Sequence, residues 1–272
     1  MSKRLRRIPV ALAIAAACCS AGAMAQMTMP APAAAPADAS KPEPDFTFTG
    51  NVGIFSQYVF RGVSQTNEKP ALQGGLDLAH KSGFYIGTWG SNVSWISDAD
   101  PRVSASLEWD MYGGYKGSLP HDFGYDLGVM YYYYPGSYPS GFTKPDTLEL
   151  YAGLSWKWLS LKYSYSADNK TFGFPDSRGS DYWDLTASYD VVDKVNDVIG
   201  KINVMGHVGR QRFKNAGDFN YTDWKIGASM DVWGVTLGMF YTDTNAHDEL
   251  YTNAFGKRIA NNQFVGYIQK TF

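Results

Sequence analysis

Cysteine is nearly missing from this sequence, and the little there is lies near one end. The 272 residues include two cysteines, Cys18 and Cys19, so the rest of the chain offers no disulfide, no thiolate metal ligand and no cysteine nucleophile. The apolar run at residues 8–19 is about a dozen residues long, too short to cross a bilayer as a helix. A basic excess is also missing, because 24 Lys and Arg stand against 26 Asp and Glu. These absences disfavour a helical membrane protein and remove the electrostatic case for nucleic acid as a partner.

The first 25 residues have the three parts of a secretory signal peptide. Basic residues precede the apolar run, and Ala23-Met24-Ala25 forms a small-x-small cleavage site, which predicts a signal peptide at 1–25 cleaved before Gln26. An uncleaved anchor is the alternative. Cleavage leaves 20 of the 24 basic residues against 26 acidic ones, a net charge of −6. Residues 26–45 are rich in Pro and Ala, which predicts a disordered linker.

From Phe46 onward, apolar and polar residues alternate with a period of two. Residues 46–61 and 103–116 are long examples, and we predict one strand in each. The apolar face of the first comprises Phe46, Phe48, Val52, Ile54, Tyr58 and Phe60, and that of the second comprises Val103, Ala105, Leu107, Trp109, Met111, Gly113 and Tyr115. The same pattern recurs along the chain and predicts twelve strands within residues 46–272.

The composition of the two faces indicates which of them meets lipid. The polar face is dominated by Gly, Ser, Thr, Asn and Tyr, whereas the outer face of a soluble sandwich would be rich in Lys and Glu. The apolar face has aromatic residues near its ends, as in the girdles of a lipid-facing band. Short connections mostly alternate with longer ones, with 191–200 the exception. The predicted fold is all-β: a transmembrane antiparallel up-and-down β-barrel of about 12 strands in the lipid of a bacterial outer membrane.

Three nearby segments carry a resemblance to a known family. They are SQYVFRGVSQT at 56–66, KPALQGG at 69–75 and SGFYIGTWGSNV at 82–93. Together they resemble the N-terminal third of the TorF family of outer-membrane porins of Gram-negative bacteria, which implies a pore. The chain also ends in Phe272, which resembles the terminal aromatic assembly signal read by the barrel assembly machinery. Lys270 departs from that pattern, because an apolar residue is common at the third position from the end.

The face opposite the apolar one supplies candidates for the lining of the lumen. Twelve strands lie between the filled eight-stranded barrels and the open sixteen-stranded channels, so the lining should decide what passes. We predict a porin for passive diffusion of small polar solutes, with weak cation preference because acidic residues exceed basic ones. The alternative is that these charges pair across the lumen and close it. The charged candidates are Arg61, Asp77, Glu108, Asp110, Asp126, Glu149, Lys157, Lys162, Asp184, Asp223, Lys225 and Asp231.

Two other function classes stay open. An outer-membrane lipid-modifying enzyme needs a Ser and a His within hydrogen-bond reach and an orienting group. The chain has His80, His121, His207 and His247 but no Gly-x-Ser-x-Gly motif, so we expect no catalytic residues. Long loops such as 138–145 would also suit a structural or adhesive barrel without an open pore. No cofactor, metal or nucleotide motif is present, and we expect none of these ligands.

Overall fold

The computed structural model describes residues 44–272, and nearly all of this segment is β-structure or connecting loop. The predicted signal peptide and almost all of the predicted linker lie outside the described residues, so both stay predictions. Helical structure within 44–272 comprises one helix, Trp95–Ala99, and one 3-10 turn, Gly217–Phe219. No helix in this part of the chain has the length and apolar character needed to cross a membrane.

Twelve antiparallel strands form one closed barrel, in which each strand pairs with its neighbours in sequence and the last pairs with the first. This confirms the predicted fold class and strand number. The barrel strands are β1 (Phe46–Phe55), β2 (Ala71–His80), β3 (Phe84–Asn92), β4 (Leu107–Leu119), β5 (Phe123–Tyr133), β6 (Thr147–Trp156), β7 (Leu159–Ser166), β8 (Asp181–Val192), β9 (Ile199–Arg212), β10 (Tyr221–Val232), β11 (Val235–Thr244) and β12 (Gln263–Thr271).

The alternation in the sequence sorts the side chains to the two faces of the barrel wall. Successive side chains of a strand point to opposite faces, and the apolar set points outward: Phe48, Ile86 and Phe264 are 62%, 63% and 60% exposed. Closure pairs the backbone of every strand on both sides, which a lipid environment demands. An apolar exterior on a closed sheet is therefore the direct result of the dyad pattern.

Aromatic pairs belt the exterior near both ends of the barrel. At one end Phe84 packs against Tyr115, and Phe123 stacks on Trp156. Near the other end the outward rings pair as Tyr163 with Trp183 and Trp224 with Tyr241. Such belts mark the two interfaces between hydrocarbon and water in membrane barrels.

The connections divide by length between the two ends of the barrel. Turns at 81–83, 120–122, 157–158, 193–198 and 233–234 lie at one end with both ends of the barrel domain, and we call this the turn end. The six longer connections lie at the opposite end, the loop end. The predicted connection 191–200 shortens to a turn because its flanking residues extend β8 and β9. At 233–234, Trp233 and Gly234 have φ of 51° and 69°, as a two-residue type I′ hairpin requires.

Two of the predicted strands are shorter than the alternation suggested. β1 ends at Phe55 and β4 begins at Leu107, so assigning Tyr58, Phe60, Val103 and Ala105 to the lipid-facing surface was wrong. All four side chains are buried, because the flanking connections turn inward at the loop end. Apolar alternation alone does not distinguish a strand that continues in the wall from a segment that folds into the lumen.

The carboxyl-terminal residue lies at the closing seam of the barrel. The backbone N–H of Phe272 donates to the carbonyl of Gly50 at 2.9 Å, and Gly50 N–H donates to the Phe272 carbonyl at 2.8 Å. The Phe272 ring is exposed on the outer surface. Its reading by the assembly machinery stays a prediction.

Candidate functional site: the barrel lumen

Most of the charged residues selected from the sequence point into the barrel. Ten lie on the inward face of strands, and Arg61 enters the lumen from the connection between β1 and β2. Lys157 does not: it lies in the two-residue turn between β6 and β7, is exposed, and has its Nζ 5.0 Å from the ring centroid of Trp156. The strand ends one residue before the alternation suggested, which removes Lys157 from the wall.

The inward charges fall into two groups according to burial. Those near the loop end are buried, whereas those at mid-barrel or nearer the turn end are half-buried. The buried group comprises Arg61, Glu108, Asp110, Glu149, Asp184 and Asp223, and the half-buried group comprises Asp77, Asp126, Lys162, Lys225 and Asp231.

The loop-end group is buried because residues 56–66 fold into the lumen. We call this segment the inner hairpin; it forms two short paired strands in which Val59 faces Ser64 and Phe60 faces Val63. Its chain direction reverses at Arg61 and Gly62, whose φ angles are 41° and 79°. The second of these suits glycine, which adopts positive φ without steric cost.

Hydrogen bonds attach the inner hairpin to strands on different sides of the barrel. Tyr58 Oη donates to Glu108 of β4 at 2.8 Å. The Gln263 amide of β12 donates to the carbonyl of Gly62 at 3.2 Å. With Arg61 reaching β6 and β9, the hairpin spans the lumen rather than lining one wall.

Arg61 makes the central contact of the hairpin. Its two terminal nitrogens donate to the two carboxylate oxygens of Glu149 at 3.2 and 2.9 Å, and Nη1 also donates to Gln211 Oε1 at 2.8 Å. The guanidinium carbon lies 4.1 Å from the ring centroid of Tyr182 and 4.5 Å from that of Phe60. A two-point carboxylate contact beside aromatic faces is the geometry that guanidinium favours.

Other loop-end connections pack on the hairpin and complete a small core. Phe172, from a second short hairpin at 170–175, contacts Phe60 with ring centroids 6.3 Å apart. Trp95 of the short helix packs edge-on against Tyr134. Phe60, Phe172 and Trp95 are all buried, so apolar packing fills this half of the lumen together with the ion pair.

Two neighbouring carboxylates of β4 lie within this packed region. Glu108 accepts hydrogen bonds from Tyr58 at 2.8 Å and Tyr134 at 3.1 Å. Neither carboxylate oxygen of Asp110 has a hydrogen-bond partner among the described residues. The side chains of Glu108 and Asp110 are both 0% exposed. With Glu149 paired to Arg61, the loop-end wall keeps an acidic excess.

His207 bridges two carboxylates across adjacent strands. Its Nε2 lies 2.9 Å from Asp223 and 3.0 Å from Tyr182 Oη, and its Nδ1 lies 3.3 Å from Asp184. The hydroxyl beside Nδ1 belongs to Thr186, at 3.1 Å. This arrangement orients the ring inside the lumen, away from the lipid-facing surface where a lipid hydrolase would act.

The half-buried His80 contacts a serine, but the geometry is that of a turn. His80 Nδ1 lies 2.7 Å from Ser82 Oγ and accepts the backbone N–H of Ser82 at 3.2 Å. The His80 ring therefore stabilises the turn at 81–83 through its contacts with Ser82. Within residues 44–272, no group of three or more His, Cys, Asp and Glu side chains is placed to hold a metal ion.

At the turn end the lumen is lined by tyrosines that lie along the wall. Tyr112 donates to Asp77 at 2.7 Å, and Tyr85 donates to Asp126 at 2.6 Å and contacts the hydroxyl of Tyr151. Lys162 Nζ lies 4.0 Å from the Tyr151 ring centroid. These contacts hold the side chains against the strands.

Glycines on the inward face make room for these rings. A Cβ added at Gly128 would collide with the Tyr151 ring and one at Gly87 with Tyr112, and nearer the loop end one at Gly209 would collide with Tyr182. Each tyrosine lies over a glycine of the adjacent strand, an arrangement that fills the gap that glycine leaves in a sheet. The mixture of Gly and Tyr on the polar face is the sequence signal of this lining, but composition alone does not pair each ring with its glycine.

Sequence reasoning missed the neutral residues that complete the site. Gln211 and the inward rings of Tyr132 and Tyr182 hold or contact the central ion pair. Each lies on the polar face of a predicted strand, so the face assignment could have found them. Selecting only charged residues left them out.

An apolar exterior, aromatic belts and a charged interior on twelve closed strands define an outer-membrane β-barrel. The chain belongs to the family described as "Bacterial protein of unknown function (Gcw_chp)", whose model matches residues 39–272. That description differs from the TorF family, so the TorF resemblance is not confirmed. No curated protein matches the sequence.

Several solved structures are similar to this chain. The KdgM porin has a TM-score of 0.52 and 7% identity, covering 82% of this chain and 99% of that one. The NanC porin has a TM-score of 0.45 and 12% identity, with 83% and 98% covered. LpxR from Salmonella typhimurium has a TM-score of 0.41 and 8% identity, with 82% and 99% covered. At these identities the likeness is one of fold.

Proposed function

We propose that the protein is an outer-membrane channel for small polar solutes, closed in this structure by the inner hairpin. The observation that carries the proposal is the closed twelve-stranded barrel whose inward face bears charged and hydroxyl groups along its length. An interior of this composition serves as a hydrophilic path across lipid. The loop end would face the cell exterior and the turn end the periplasm, as in barrels with short periplasmic turns.

Passage requires the hairpin to leave the lumen, and the topology makes this possible. Phe55 of β1 pairs directly with Ala71 of β2, so the ladder between these strands does not include residues 56–70. The hairpin is fixed by side-chain contacts and a few backbone hydrogen bonds to the wall and the other loops. Its release would therefore leave the barrel ladder intact.

A weak cation preference is part of the proposal. After Lys157 is removed, the inward candidates comprise eight acidic and three basic residues. An acidic lining concentrates cations and repels anions. Reversal potentials in a salt gradient test the sign, and an anion preference would contradict it.

Planar-bilayer conductance and liposome swelling with sized neutral solutes test the channel itself. We expect rare openings from the intact protein and frequent openings once residues 56–70 are replaced by a short turn. Silence from both folded proteins would exclude the channel and favour a structural barrel. Release of fatty acid from phospholipid by the folded protein would instead favour the enzyme class.

A further inference from the structure

The contacts of Arg61 describe a site built for a guanidinium group. Glu149 offers both carboxylate oxygens, Gln211 offers a third acceptor, and the Tyr182 ring lies 4.1 Å from the guanidinium carbon. Glu149 and Gln211 are 3% and 2% exposed. Such a set of planar acceptors and ring faces matches the fork of guanidinium better than the point charge of an ammonium.

The site belongs mainly to the barrel wall and not to the hairpin that fills it. Glu149 lies on β6, Tyr182 on β8 and Gln211 on β9, whereas among the contacting rings only Phe60 belongs to the inner hairpin. If the hairpin leaves, the acceptors and the Tyr182 ring stay in the lumen. They then form an unoccupied acidic site on the solute path.

The acceptors are oriented by contacts that do not involve Arg61. The Gln211 amide nitrogen donates to the carbonyls of Asp181 and Arg212 at 3.2 and 3.3 Å, which aims its oxygen into the lumen. Tyr132 Oη donates to Glu149 Oε2 at 3.1 Å. A site held in place by its own surroundings loses little freedom when a ligand binds.

Arg61 occupies the site imperfectly. Its backbone has a φ of 41°, in the left-handed region that is unfavourable for a non-glycine residue. Its Nε is buried and donates no hydrogen bond within residues 44–272. A free guanidinium compound has neither constraint, because no hairpin backbone fixes its position.

We propose that Glu149, Gln211 and Tyr182 form a binding site for solutes that carry a guanidinium group, with Arg61 as its tethered occupant in the closed state. A solute that binds only when Arg61 is absent shifts the protein toward the state in which the hairpin has left. The inference rests on the proposed channel for the route by which the solute reaches the site. Binding itself can be measured without any conductance.

The first experiment empties the site with Arg61→Ala and adds methylguanidinium, with methylammonium as the comparison probe. In folded protein in detergent micelles, we expect saturable quenching of intrinsic fluorescence, at least about tenfold tighter for methylguanidinium. Concentrations below about 10 mM stay far from those at which guanidinium unfolds proteins. Adding Glu149→Gln should abolish binding, whereas adding Glu68→Gln, a change at the loop-end rim where Glu68 pairs with Lys257, should preserve it.

A second experiment keeps Arg61 and reads hairpin release. Ser64 is 1% exposed within the inner hairpin, so in a Cys18→Ser, Cys19→Ser background the S64C thiol should react slowly with a maleimide. Methylguanidinium should accelerate labelling at least about fivefold more than methylammonium at equal ionic strength. Equal effects of the two cations, or no saturable binding to folded R61A, would overturn the proposal. If the barrel binds methylguanidinium but never conducts, the proposed channel function is contradicted and the binding site is not.

Discussion

The two halves of the lumen differ in what fills them. At the loop end a segment outside the barrel sheet, residues 56–66, spans the interior and buries Glu149, Asp184 and Asp223. At the turn end the wall's own tyrosines lie flat over glycines, and Asp126 and Lys162 stay half-buried. The first half is filled by a segment that lies outside the barrel ladder, and the second is shaped by the sheet itself. Changes at the loop end should therefore alter opening, whereas changes at the turn end should alter barrel stability or selectivity.

The largest effect on conductance should come from removing the inner hairpin, which fills only the loop-end half of the lumen. Replacing residues 56–70 with a short turn is compatible with the direct pairing of Phe55 and Ala71. Conductance should rise at least about tenfold, since the packed constriction is lost. Shortening the turn 193–198, whose residues are all exposed at the opposite end of the barrel, is the control and should change little. Unchanged conductance in the deletion variant, with the barrel still folded by circular dichroism, would show that the turn-end half also closes the lumen.

The sequence could predict the turn-end half better than the loop-end half, for a physical reason. A dyad assigns each strand residue to a face, and that placed the strand charges of both halves on the inward face, among them Asp126 nearer the turn end and Asp184 at the loop end. This assignment of side chains to faces is valid only where the backbone is part of the barrel sheet.

The chain leaves β1 at Ser56. The alternation of Tyr58 and Phe60 continues in the sequence, but these residues no longer belong to the barrel wall, so the alternation does not assign them to its inner or outer face. Their inward burial depends on Glu108 and Phe172, which lie far along the chain. Contacts of this range leave no periodic signal in a single sequence. The resemblance at 56–66 marked the segment without indicating where it folds.

Breaking the central ion pair should release the hairpin while the barrel persists. Glu149→Gln leaves a buried guanidinium without its counter-charge, which costs about 3 to 5 kcal/mol. Labelling of S64C in the cysteine-free background should then accelerate by roughly a hundredfold to a few thousandfold, because 1.4 kcal/mol corresponds to tenfold. Replacing both partners, with Arg61→Met and Glu149→Leu, should accelerate it less than Glu149→Gln alone.

An ion pair at the loop surface supplies the control for that change. Arg102 Nη2 forms an ion pair with Asp100 Oδ2 at 2.6 Å in a connection at the loop end. The hydrogen bonds from Arg102 lower the pKa of Asp100 to about 2. The pair is therefore charged at neutral pH. Asp100→Asn should leave S64C labelling unchanged, since solvent screens the pair and it does not touch the inner hairpin. Similar acceleration by both variants would mean that general loosening, and not loss of the Arg61 contact, opens the loop end.

The turn-end half should respond to a change of volume at the glycines. Gly128→Ala places a methyl group against the Tyr151 ring and should lower the free energy of unfolding by about 1 to 3 kcal/mol through overpacking. Gly206→Ala is the matched control, because an added Cβ there meets no atom within 4 Å. Urea titration of the barrel in lipid vesicles measures both variants. If the Gly128→Ala and Gly206→Ala variants are equally stable, the Tyr151 ring is not packed tightly against Gly128.

The smallest expected effect concerns charge selectivity at the turn end. Lys162 and Lys157 are five residues apart in sequence, yet one points into the lumen and the other is exposed in a turn. In the background lacking residues 56–70, Lys162→Gln should strengthen the cation preference and shift the reversal potential by roughly 5 to 10 mV, because it removes a positive charge from an acidic lining. Lys157→Gln removes the same charge outside the lumen and should shift it much less. Equal shifts would mean that selectivity is set by the surface potential at the barrel mouth, and the inward charges of the turn-end half would then have no part in it.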